Sequence, residues 1–494
     1  MNSQAKNLMV QGTMSGAGKS LLVTALCRIS LQDGLRVAPF KSQNMALNSA
    51  VTPDGLEIGR AQAAQAEAAG READVRMNPI LLKPSSDRSS QLILNGEVRG
   101  FYEAAEYFKM KRSLIPEILR AYDSLALEND VLVIEGAGSP AEINLRQDDI
   151  VNMGLAELVD APVLLVGDID RGGVFAQLYG TVALLQKEER ARVKGLVINK
   201  FRGDPGLLAP GLRQIEDLTG IPVLGVLPWM QVDLDDEDSL SPRLSRFERQ
   251  SAPLDVAVIR LPHLSNFTDF SPLEGHPAFG VRYVLNPAQL GAPDLILLPG
   301  TKSTLPDLRW LHRSGLAEAI RSLARGGTPV LGICGGYQML GSALLDPCGV
   351  EGGGSGEGLG LLPCETVFAP QKTRTRRKAL VESGPFAGAS LEGYEIHMGA
   401  TPVHSAPPFC RFSGGEADGA QQGHVFGTYL HGLFDSGDLT ERLAQWLAAR
   451  KGLTLPERET EDRAAFRQRQ YDLLADAVRQ NLDMDKIRQI MEKT

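Results

Sequence analysis

The chain has 494 residues with 43% hydrophobic content, enough to bury several cores, so we expect two or more domains. Its net charge of -9 argues against a nucleic-acid partner, because clustered Lys and Arg drive phosphate binding. The 5 cysteines include no CxxC pair, which disfavours a disulfide framework or zinc site and favours a reducing cytoplasm. The sequence lacks a secretion signal and any apolar run near the roughly 20 residues that span a bilayer, so we expect no membrane association.

Residues 1–230 alternate short apolar runs with helical patterns, which predicts a parallel sheet wrapped in helices. The runs are NLMVQG, RVAPF, DVLVIEGAG, APVLLVGDID, VKGLVINKF and IPVLGVLP. Polar or small residues end four of them: Gly12, Glu135, Asp168 and Asn199. Because parallel strands end at one edge, we expect these residues to gather there, where doubly wound folds bind ligands.

A change of composition over residues 231–252 to charged and turn-forming residues predicts a linker. The strand patterns LDVAVIRLP, GVRYVL, DLILLPG and TPVLGIC follow, with a helical pattern from about Leu305 to Arg325, so a second α/β domain is predicted over 253–450. Its glycine-rich stretch 351–360 is expected to be a mobile loop. The charged, periodic residues 451–494 predict a tail of amphipathic helices on the surface.

The segment GTMSGAGKS, Gly12 to Ser20, has the composition of a phosphate-binding loop between a strand and a helical pattern. Gly16 and Gly18 allow backbone N–H groups to approach phosphate oxygens, Lys19 neutralises charge and Ser20 offers a hydroxyl for Mg²⁺. Five residues separate Gly12 from Gly18, where the standard pattern has four. The alternative is a glycine turn that only caps a helix.

This longer spacing resembles dethiobiotin synthetase and its relatives, ATP-dependent enzymes that activate a carboxylate as an acyl phosphate. Thr13 in the loop and Lys41 after the next strand are then candidate ATP contacts. Glu135, at a strand end before small residues, and Glu57 in DGLEIGRAQ are candidate Mg²⁺ ligands together with Ser20. Either carboxylate taken alone also suits a solvated surface charge.

Two further motifs lie at predicted strand ends. Asp168 and Asp170 in GDIDRGG could orient a metal or substrate, or cap the next helix. The segment NKFRGD is similar to the Asn-Lys base-reading motif of nucleotide enzymes, which makes Asn199 a candidate adenine contact.

The segment GICGGYQ, Gly332 to Gln338, follows a predicted strand and precedes a helical pattern. This arrangement predicts a nucleophile elbow in which cysteine replaces serine. The N–H groups at the start of the helix would stabilise the thiolate of Cys334. A buried structural cysteine is the alternative for any single thiol.

A cysteine nucleophile needs a general base, and the chain has 7 histidines. They are His263, His276, His312, His397, His404, His424 and His431. Two of them follow strand-like runs and precede glycine turns: His397 in YEIHMG and His431 in GTYLHGLF. A histidine at a strand end is usually only a hydrogen-bonded part of the structure.

The segment GICGGYQ matches GxCxGxQ, and so resembles the class I glutamine amidotransferases. The resemblance implies a flavodoxin-like α/β domain with Cys334 as nucleophile and His431 as base. The family's usual acid, two residues after the histidine, is Leu433 here, which points to a Cys334/His431 dyad. The resemblance also implies an oxyanion hole in PGTKST with the Gly300 N–H, and leaves His397 a shaping role.

Together with PFKSQNMALNS, LEIGRAQAAQA, NKFRGD, YEIHMG and TYLHGLF, these motifs resemble the cobyric acid synthase family over nearly the whole chain. The resemblance implies a P-loop NTPase-like parallel sheet followed by the amidotransferase-like domain, with ATP and Mg²⁺ as cofactors. It implies that ATP phosphorylates the b, d, e and g carboxylates of adenosylcobyrinic acid a,c-diamide. Ammonia from glutamine then displaces phosphate to give adenosylcobyric acid, a step of cobalamin biosynthesis.

Three other functions fit part of the sequence. A cobyrinic acid a,c-diamide synthase would use the same parts on the a and c carboxylates. A P-loop regulatory or partitioning protein with an inactive amidotransferase domain is a second alternative, disfavoured by the presence of both Cys334 and His431. A ligase of the dethiobiotin type is the third, but it has no use for the second domain.

Overall fold

A computed structural model describes residues 5–85, 89–230, 232–234, 242–248, 250–403, 405–435, 437–456 and 462–492. The chain divides into two units. The first comprises Met1–Met45, Leu56–Leu234 and Arg467–Thr494, and the second comprises Ala46–Gly55 and Asp235–Phe466. Of the predicted linker over 231–252, residues 231, 235–241 and 249 lie outside the described residues.

The strands, in chain order, are β1 (Lys6–Gly12), β2 (Val37–Phe40), β3 (Gln43–Met45), β4 (Ser49–Val51), β5 (Glu57–Gly59), β6 (Ile80–Pro84), β7 (Ser89–Leu94), β8 (Glu97–Glu103), β9 (Val131–Glu135), β10 (Val163–Asp168), β11 (Val193–Phe201), β12 (Val223–Pro228), β13 (Leu254–Ile259), β14 (Phe279–Val284), β15 (Leu295–Leu298), β16 (Val330–Ile333), β17 (Ala343–Asp346), β18 (Gly354–Glu357), β19 (Glu365–Leu380), β20 (Ser390–Ala400), β21 (Cys410–Phe412), β22 (Ala417–Asp418), β23 (Ala420–Gln422), β24 (Val425–Thr428) and β25 (Leu430–His431).

The α-helices are α1 (Lys19–Gln32), α2 (Arg60–Ala68), α3 (Ala104–Met110), α4 (Ile115–Glu128), α5 (Met153–Leu158), α6 (Val174–Leu184), α7 (Lys187–Arg192), α8 (Ala209–Thr219), α9 (Ser271–Glu274), α10 (Pro287–Leu290), α11 (Thr304–Arg313), α12 (Leu316–Arg325), α13 (Gly335–Leu340), α14 (Leu439–Arg450), α15 (Arg463–Asn481) and α16 (Met484–Glu492). None of the described helices is both long and apolar enough to cross a membrane.

The first unit is built on a six-stranded sheet in the order β12-β11-β10-β1-β9-β2. All of its strand pairs are parallel. These strands are the six apolar runs that the sequence predicted, and runs of this kind suit a sheet that helices cover on both faces. The predicted α/β fold is confirmed, and the strand ends at Gly12, Glu135, Asp168 and Asn199 share the carboxyl edge. A smaller sheet, β3-β6-β7-β8, completes the unit.

The C-terminal helices differ from the predicted surface tail. Tyr471, Leu474 and Val478 on α15 are almost fully buried and belong to the core of the first unit. The last residue of this helix also approaches β12 closely, since a Cβ on Gly225 would lie 2.0 Å from the Asn481 carbonyl oxygen. A narrow apolar stripe at helical spacing is therefore enough to place a highly charged segment in a core.

The second unit contains a six-stranded sheet in the order β14-β13-β15-β16-β24-β23. Its pairs are parallel except at β23, and its first four strands by sequence are the predicted ones. The predicted helical pattern is two helices, because Gly315 adopts a φ of 79° between α11 and α12. The stretch 351–360, expected as a loop, contains β18, which pairs with β17 in a second, mixed sheet.

Candidate active sites

Cys334 lies at a sharp turn between β16 and α13, with a φ of 52° and a ψ of -110°. This backbone conformation is strained for a residue with a side chain and is typical of a nucleophile elbow. The flanking glycines are required by packing. A Cβ on Gly332 would lie 2.7 Å from the Gly336 carbonyl carbon, and one on Gly336 would lie 2.0 Å from the Leu298 carbonyl oxygen.

The side chains of Cys334, His431 and Asp269 form a hydrogen-bonded series. His431 Nδ1 lies 2.7 Å from Asp269 Oδ2, and the Gly432 N–H donates to Asp269 Oδ1 at 2.9 Å. His431 also hydrogen-bonds to Cys334, and Nε2 is the ring nitrogen left for this contact. The Cys334 thiol lies 3.6 Å from the Ile396 carbonyl oxygen. Nucleophile, base and orienting carboxylate are therefore in the order that a catalytic triad requires.

The structure adds to the expected Cys334/His431 dyad a buried carboxylate, Asp269, which contacts the His431 ring. Leu433, at the position where the family has its acid, is fully buried. Asp269 lies in the short turn Phe267–Phe270, 162 residues before His431. No fixed spacing connects two such distant residues, so sequence reasoning missed it. The available signal was a single carboxylate in the segment NFTDF, beside two phenylalanines.

Two opposing effects act on the pKa of His431. Burial lowers it, but the Asp269 carboxylate and the Cys334 sulfur outweigh burial and raise it from 6.5 to about 10. The imidazolium of His431 is therefore the favoured form near neutral pH. The raised pKa also makes the stability of the fold depend on pH. The stabilisation by protonated His431 is complete below about pH 6.5 and is lost as the pH rises through about 10.

Replacing Asp269 with asparagine should lower the rate of glutamine hydrolysis by about 10²-fold, since the imidazole loses the partner that fixes its tautomer and charge. Because Asp269 raises the pKa of His431, the alkaline limb of the pH–rate profile should move to lower pH. Steady-state glutaminase assays across the pH range measure both effects. An unchanged profile would show that Asp269 does not act on the base.

Gly300, the predicted oxyanion residue, lies next to the base. A Cβ at this position would be 3.0 Å from His431 Cε1. The loop is held by Thr301, whose hydroxyl donates to Asp307 Oδ2 at 2.5 Å. Thr301 also approaches the residue after the nucleophile, since a Cβ on Gly335 would lie 3.1 Å from the Thr301 nitrogen. The oxyanion role of the Gly300 N–H stays a prediction.

His397, the other candidate base, has different surroundings. Its ring stacks on Tyr429 with centroids 3.7 Å apart, and its two nitrogens lie 3.2 Å from the Gly399 carbonyl oxygen and 3.4 Å from Glu395 Oε1. These contacts suit the predicted shaping role. His404 lies outside the described residues. The other histidines have partners of their own: His263 with Asp307, His276 with Glu441, His312 with the Glu357 carbonyl and His424 with the Ala324 carbonyl.

In the first unit, the predicted phosphate loop connects β1 to α1. Gly16 and Gly18 have φ values of 72° and 101°, which a residue with a side chain rarely adopts. The Lys19 ammonium donates to the Met14 carbonyl at 3.1 Å, so it lies folded over the loop. Thr13 at the start of the loop donates its hydroxyl to Gln177 Oε1 at 3.0 Å.

Glu135, at the end of β9, is the acceptor on which three side chains of this unit converge. Ser20 Oγ and Lys41 Nζ donate to its Oε1 at 2.8 and 2.9 Å, and Gln65 Nε2 donates to its Oε2 at 2.6 Å. The Glu135 and Lys41 side chains are 0% and 5% exposed, so the charges are paired away from water. The structure thus brings together three predicted residues, Ser20, Lys41 and Glu135.

Glu57, the other predicted metal ligand, is also buried and forms an ion pair with Lys83 at 2.9 Å. Within the described residues, no group of three or more His, Cys, Asp and Glu side chains is suited to hold a metal ion. A metal at this edge would therefore rely on few protein ligands. Mg²⁺ is bound in this way in many nucleotide sites, through one or two carboxylates and the phosphates of the nucleotide.

Asn199 and the following Lys200 contact the phosphate loop itself. Asn199 Nδ2 donates to the Ala17 carbonyl at 2.9 Å, and Lys200 Nζ donates to the Gly16 carbonyl at 2.6 Å. Lys200 also pairs with Asp168 at 2.7 Å. These bonds hold the loop, and the contact of Asn199 with adenine stays a prediction.

Asp170, the second carboxylate of GDIDRGG, pairs with Arg202 at 3.0 Å. Its own N–H donates to Asp168 Oδ1 at 2.9 Å. The two aspartates therefore hold this strand end through ion pairs with Lys200 and Arg202 and through a hydrogen bond to the backbone.

A phosphate loop and a cysteine–histidine–aspartate site on one chain define an ATP-dependent amidoligase that uses glutamine. Comparisons with known proteins agree. Residues 8–240 match the CobQ/CobB/MinD/ParA nucleotide binding domain, and residues 255–439 match the CobB/CobQ-like glutamine amidotransferase domain. The cobyric acid synthase of Lachnoclostridium phytofermentans is 53% identical, with 99% of each chain covered. Those of Ruminiclostridium cellulolyticum and Yersinia enterocolitica are 54% identical, covering 99% of this chain and 98% of theirs. The chain belongs to the cobyric acid synthase family.

Proposed function

We propose that this enzyme amidates the b, d, e and g side-chain carboxylates of adenosylcobyrinic acid a,c-diamide to give adenosylcobyric acid, with ATP, Mg²⁺ and glutamine. The main support is the set of three side chains Cys334, His431 and Asp269 in a chain that also has a phosphate loop, together with relatives 53–54% identical over 98–99% of their length. The enzyme would act in the cytoplasm, on a corrinoid and without a nucleic-acid or membrane partner.

Glutamine hydrolysis begins at the Cys334 sulfur, which attacks the side-chain amide carbon of glutamine. The negative charge that develops on the amide oxygen is stabilised by backbone N–H groups, for which Gly300 and Gly335 are the candidates. His431, protonated near neutral pH, gives its proton to the departing nitrogen, so ammonia leaves and a thioester remains. Water, deprotonated by His431, then hydrolyses the thioester to glutamate, and Asp269 orients the imidazole throughout.

The nucleotide half-reaction makes a carboxylate reactive toward that ammonia. A carboxylate is a poor electrophile, and transfer of the γ-phosphoryl group of ATP converts it into an acyl phosphate, from which ammonia displaces phosphate. Lys19 and the loop N–H groups would hold the phosphates of ATP, with Thr13 and Asn199 as further nucleotide contacts. Lys41 lies at the same carboxylate as the loop serine and would stabilise charge on the transferred group.

The oxygen ligands at this strand end suit Mg²⁺. Ser20 Oγ and Glu135 Oε1 are 2.8 Å apart, and both are hard oxygen donors of the kind that this ion prefers. When bound, Mg²⁺ neutralises charge on the phosphates. Glu57 is the third predicted ligand.

Replacing Glu135 with glutamine should raise the Mg²⁺ concentration needed for half-maximal ATP-dependent amidation by about tenfold. The amide retains the size of the side chain and removes its charge. Glu57→Gln is the matched substitution, since Glu57 is an equally buried carboxylate paired with a lysine. A Mg²⁺ titration of both variants assigns the ligands: a shift in both places both carboxylates at the ion, and a shift in neither leaves the ion without a carboxylate ligand.

The proposed reaction is tested by incubating the purified enzyme with ATP, Mg²⁺ and glutamine and with a panel of corrinoid acids, followed by mass spectrometry. Consumption of adenosylcobyrinic acid a,c-diamide with four successive carboxylate-to-amide mass changes is expected. Conversion of cobyrinic acid to its a,c-diamide would identify the sibling reaction instead. Absence of both glutaminase turnover and amidation would favour the regulatory alternative.

A further inference from the structure

The segment Ala46–Gly55 belongs to the second unit, although the residues before and after it belong to the first. Lys41 of the nucleotide site lies shortly before it in the chain, and Glu57 lies shortly after it. Its strand β4 is buried, with Ser49 0% and Val51 3% exposed. The segment is therefore joined at both ends to the unit that has the nucleotide site, whereas it belongs to the unit that has the cysteine site.

One contact of this segment leads to Asp269. The Ser49 N–H donates to Asn266 Oδ1 at 3.1 Å. Asn266 has a φ of 51° and begins the turn Phe267–Phe270, and its carbonyl accepts the Asp269 N–H at 3.0 Å. The bond to Ser49 therefore fixes the residue that starts the turn on which the triad carboxylate stands.

A second contact leads to His431. The Tyr394 hydroxyl donates to the Ser49 carbonyl at 3.0 Å. The ring of Tyr394 stacks on the His431 ring, with centroids 5.4 Å apart and planes 21° apart. Both polar groups of the Ser49 backbone are thus bonded to residues that contact or orient triad members.

A third contact leads to Cys334. Val51 forms an apolar cluster with Tyr394 and Ile396. The carbonyl of Ile396 is the group that faces the Cys334 sulfur at 3.6 Å. The segment also receives a bond from Arg376, whose Nε donates to the Val51 carbonyl at 3.0 Å. Each of the three catalytic side chains therefore has a neighbour that touches β4.

We propose that the segment Ala46–Gly55 positions the glutaminase triad through its contacts with Asn266, Tyr394 and Ile396. Small displacements of catalytic groups have large effects on rate, so loss of one of these contacts should slow glutamine hydrolysis. The inference rests on the proposed function, in which Cys334, His431 and Asp269 hydrolyse glutamine.

The test uses Asn266→Gly and Asn266→Asp in the full-length enzyme. Glycine keeps the left-handed backbone but removes the acceptor of the Ser49 N–H, whereas aspartate keeps an acceptor. We expect Asn266→Gly to lower kcat for glutamine hydrolysis about tenfold with little change in KM, and Asn266→Asp to restore most of it.

Tyr394→Phe tests the second contact independently, because it removes the hydroxyl and keeps the ring on His431. Tyr283→Phe is its matched control: this buried hydroxyl donates to Glu274 at 2.8 Å on the edge strand β14. Ammonia-dependent amidation reports folding in every variant. The inference is overturned if Asn266→Gly and Tyr394→Phe keep the wild-type kcat for glutamine hydrolysis, or if Tyr283→Phe loses as much. Failure of the wild type to amidate any corrinoid would refute the proposed function instead, and the kcat comparison would still decide positioning.

Discussion

Cys334→Ala is expected to lower glutamine-dependent amidation by roughly 10⁴-fold or more, while amidation with added ammonia stays close to the wild-type rate. Alanine removes the sulfur that forms the thioester, so no ammonia is released from glutamine. The nucleotide half-reaction does not use this sulfur, and ammonia from solution can attack the acyl phosphate. The measurement is amide formation on the corrinoid with glutamine and, separately, with ammonium salt at a pH that provides free ammonia.

Cys348→Ala provides the control, because Cys348 is an exposed cysteine of the same unit. It should retain both activities. Loss of ammonia-dependent amidation in Cys334→Ala, with the protein still folded, would count against two separable half-reactions. Glutamine-dependent activity that survives in this variant would remove the elbow cysteine from the mechanism.

Lys19→Ala is expected to abolish amidation with either nitrogen source, by about 10³-fold or more, because the phosphates of ATP lose the ammonium that neutralises them. Basal hydrolysis of glutamine to glutamate should persist, since all side chains of the cysteine site are unchanged in this variant. Glutamate release and corrinoid amidation, measured on the same enzyme sample, separate the two effects. The result is the counterpart of the cysteine variant, in which amidation survives and glutaminase activity does not.

Lys194→Ala is the matched control for Lys19. Lys194 is an exposed lysine on β11, in the same unit as Lys19, so its loss should leave both activities unchanged. If Lys19→Ala amidates normally with ammonia, the loop does not bind the nucleotide that activates the carboxylate.

Sequence patterns predicted the main sheets because both consist of short apolar runs, a local signal that parallel strands require on two buried faces. The two loops were predictable for a similar reason. The glycines of the phosphate loop and of the cysteine elbow are local requirements of backbone conformation and close approach, as the Gly336 position next to the Leu298 carbonyl shows. Cys334 was predicted in this way, and His431 was predicted from family resemblance.

The tertiary structure alone supplied Asp269, the partners of Glu135 and Glu57, and the place of the segment Ala46–Gly55. Each depends on residues far apart in the chain, such as the 162 positions between Asp269 and His431. The local sequence around a carboxylate does not predict whether it will contact a histidine, a serine or a lysine. It also does not predict whether the carboxylate will be buried. The charged tail is the same case: its pattern fixed a helix, but only packing decided that Tyr471 and Leu474 enter the core. Local sequence determines backbone conformation and periodicity, whereas the pairing of charges is settled when distant segments come together.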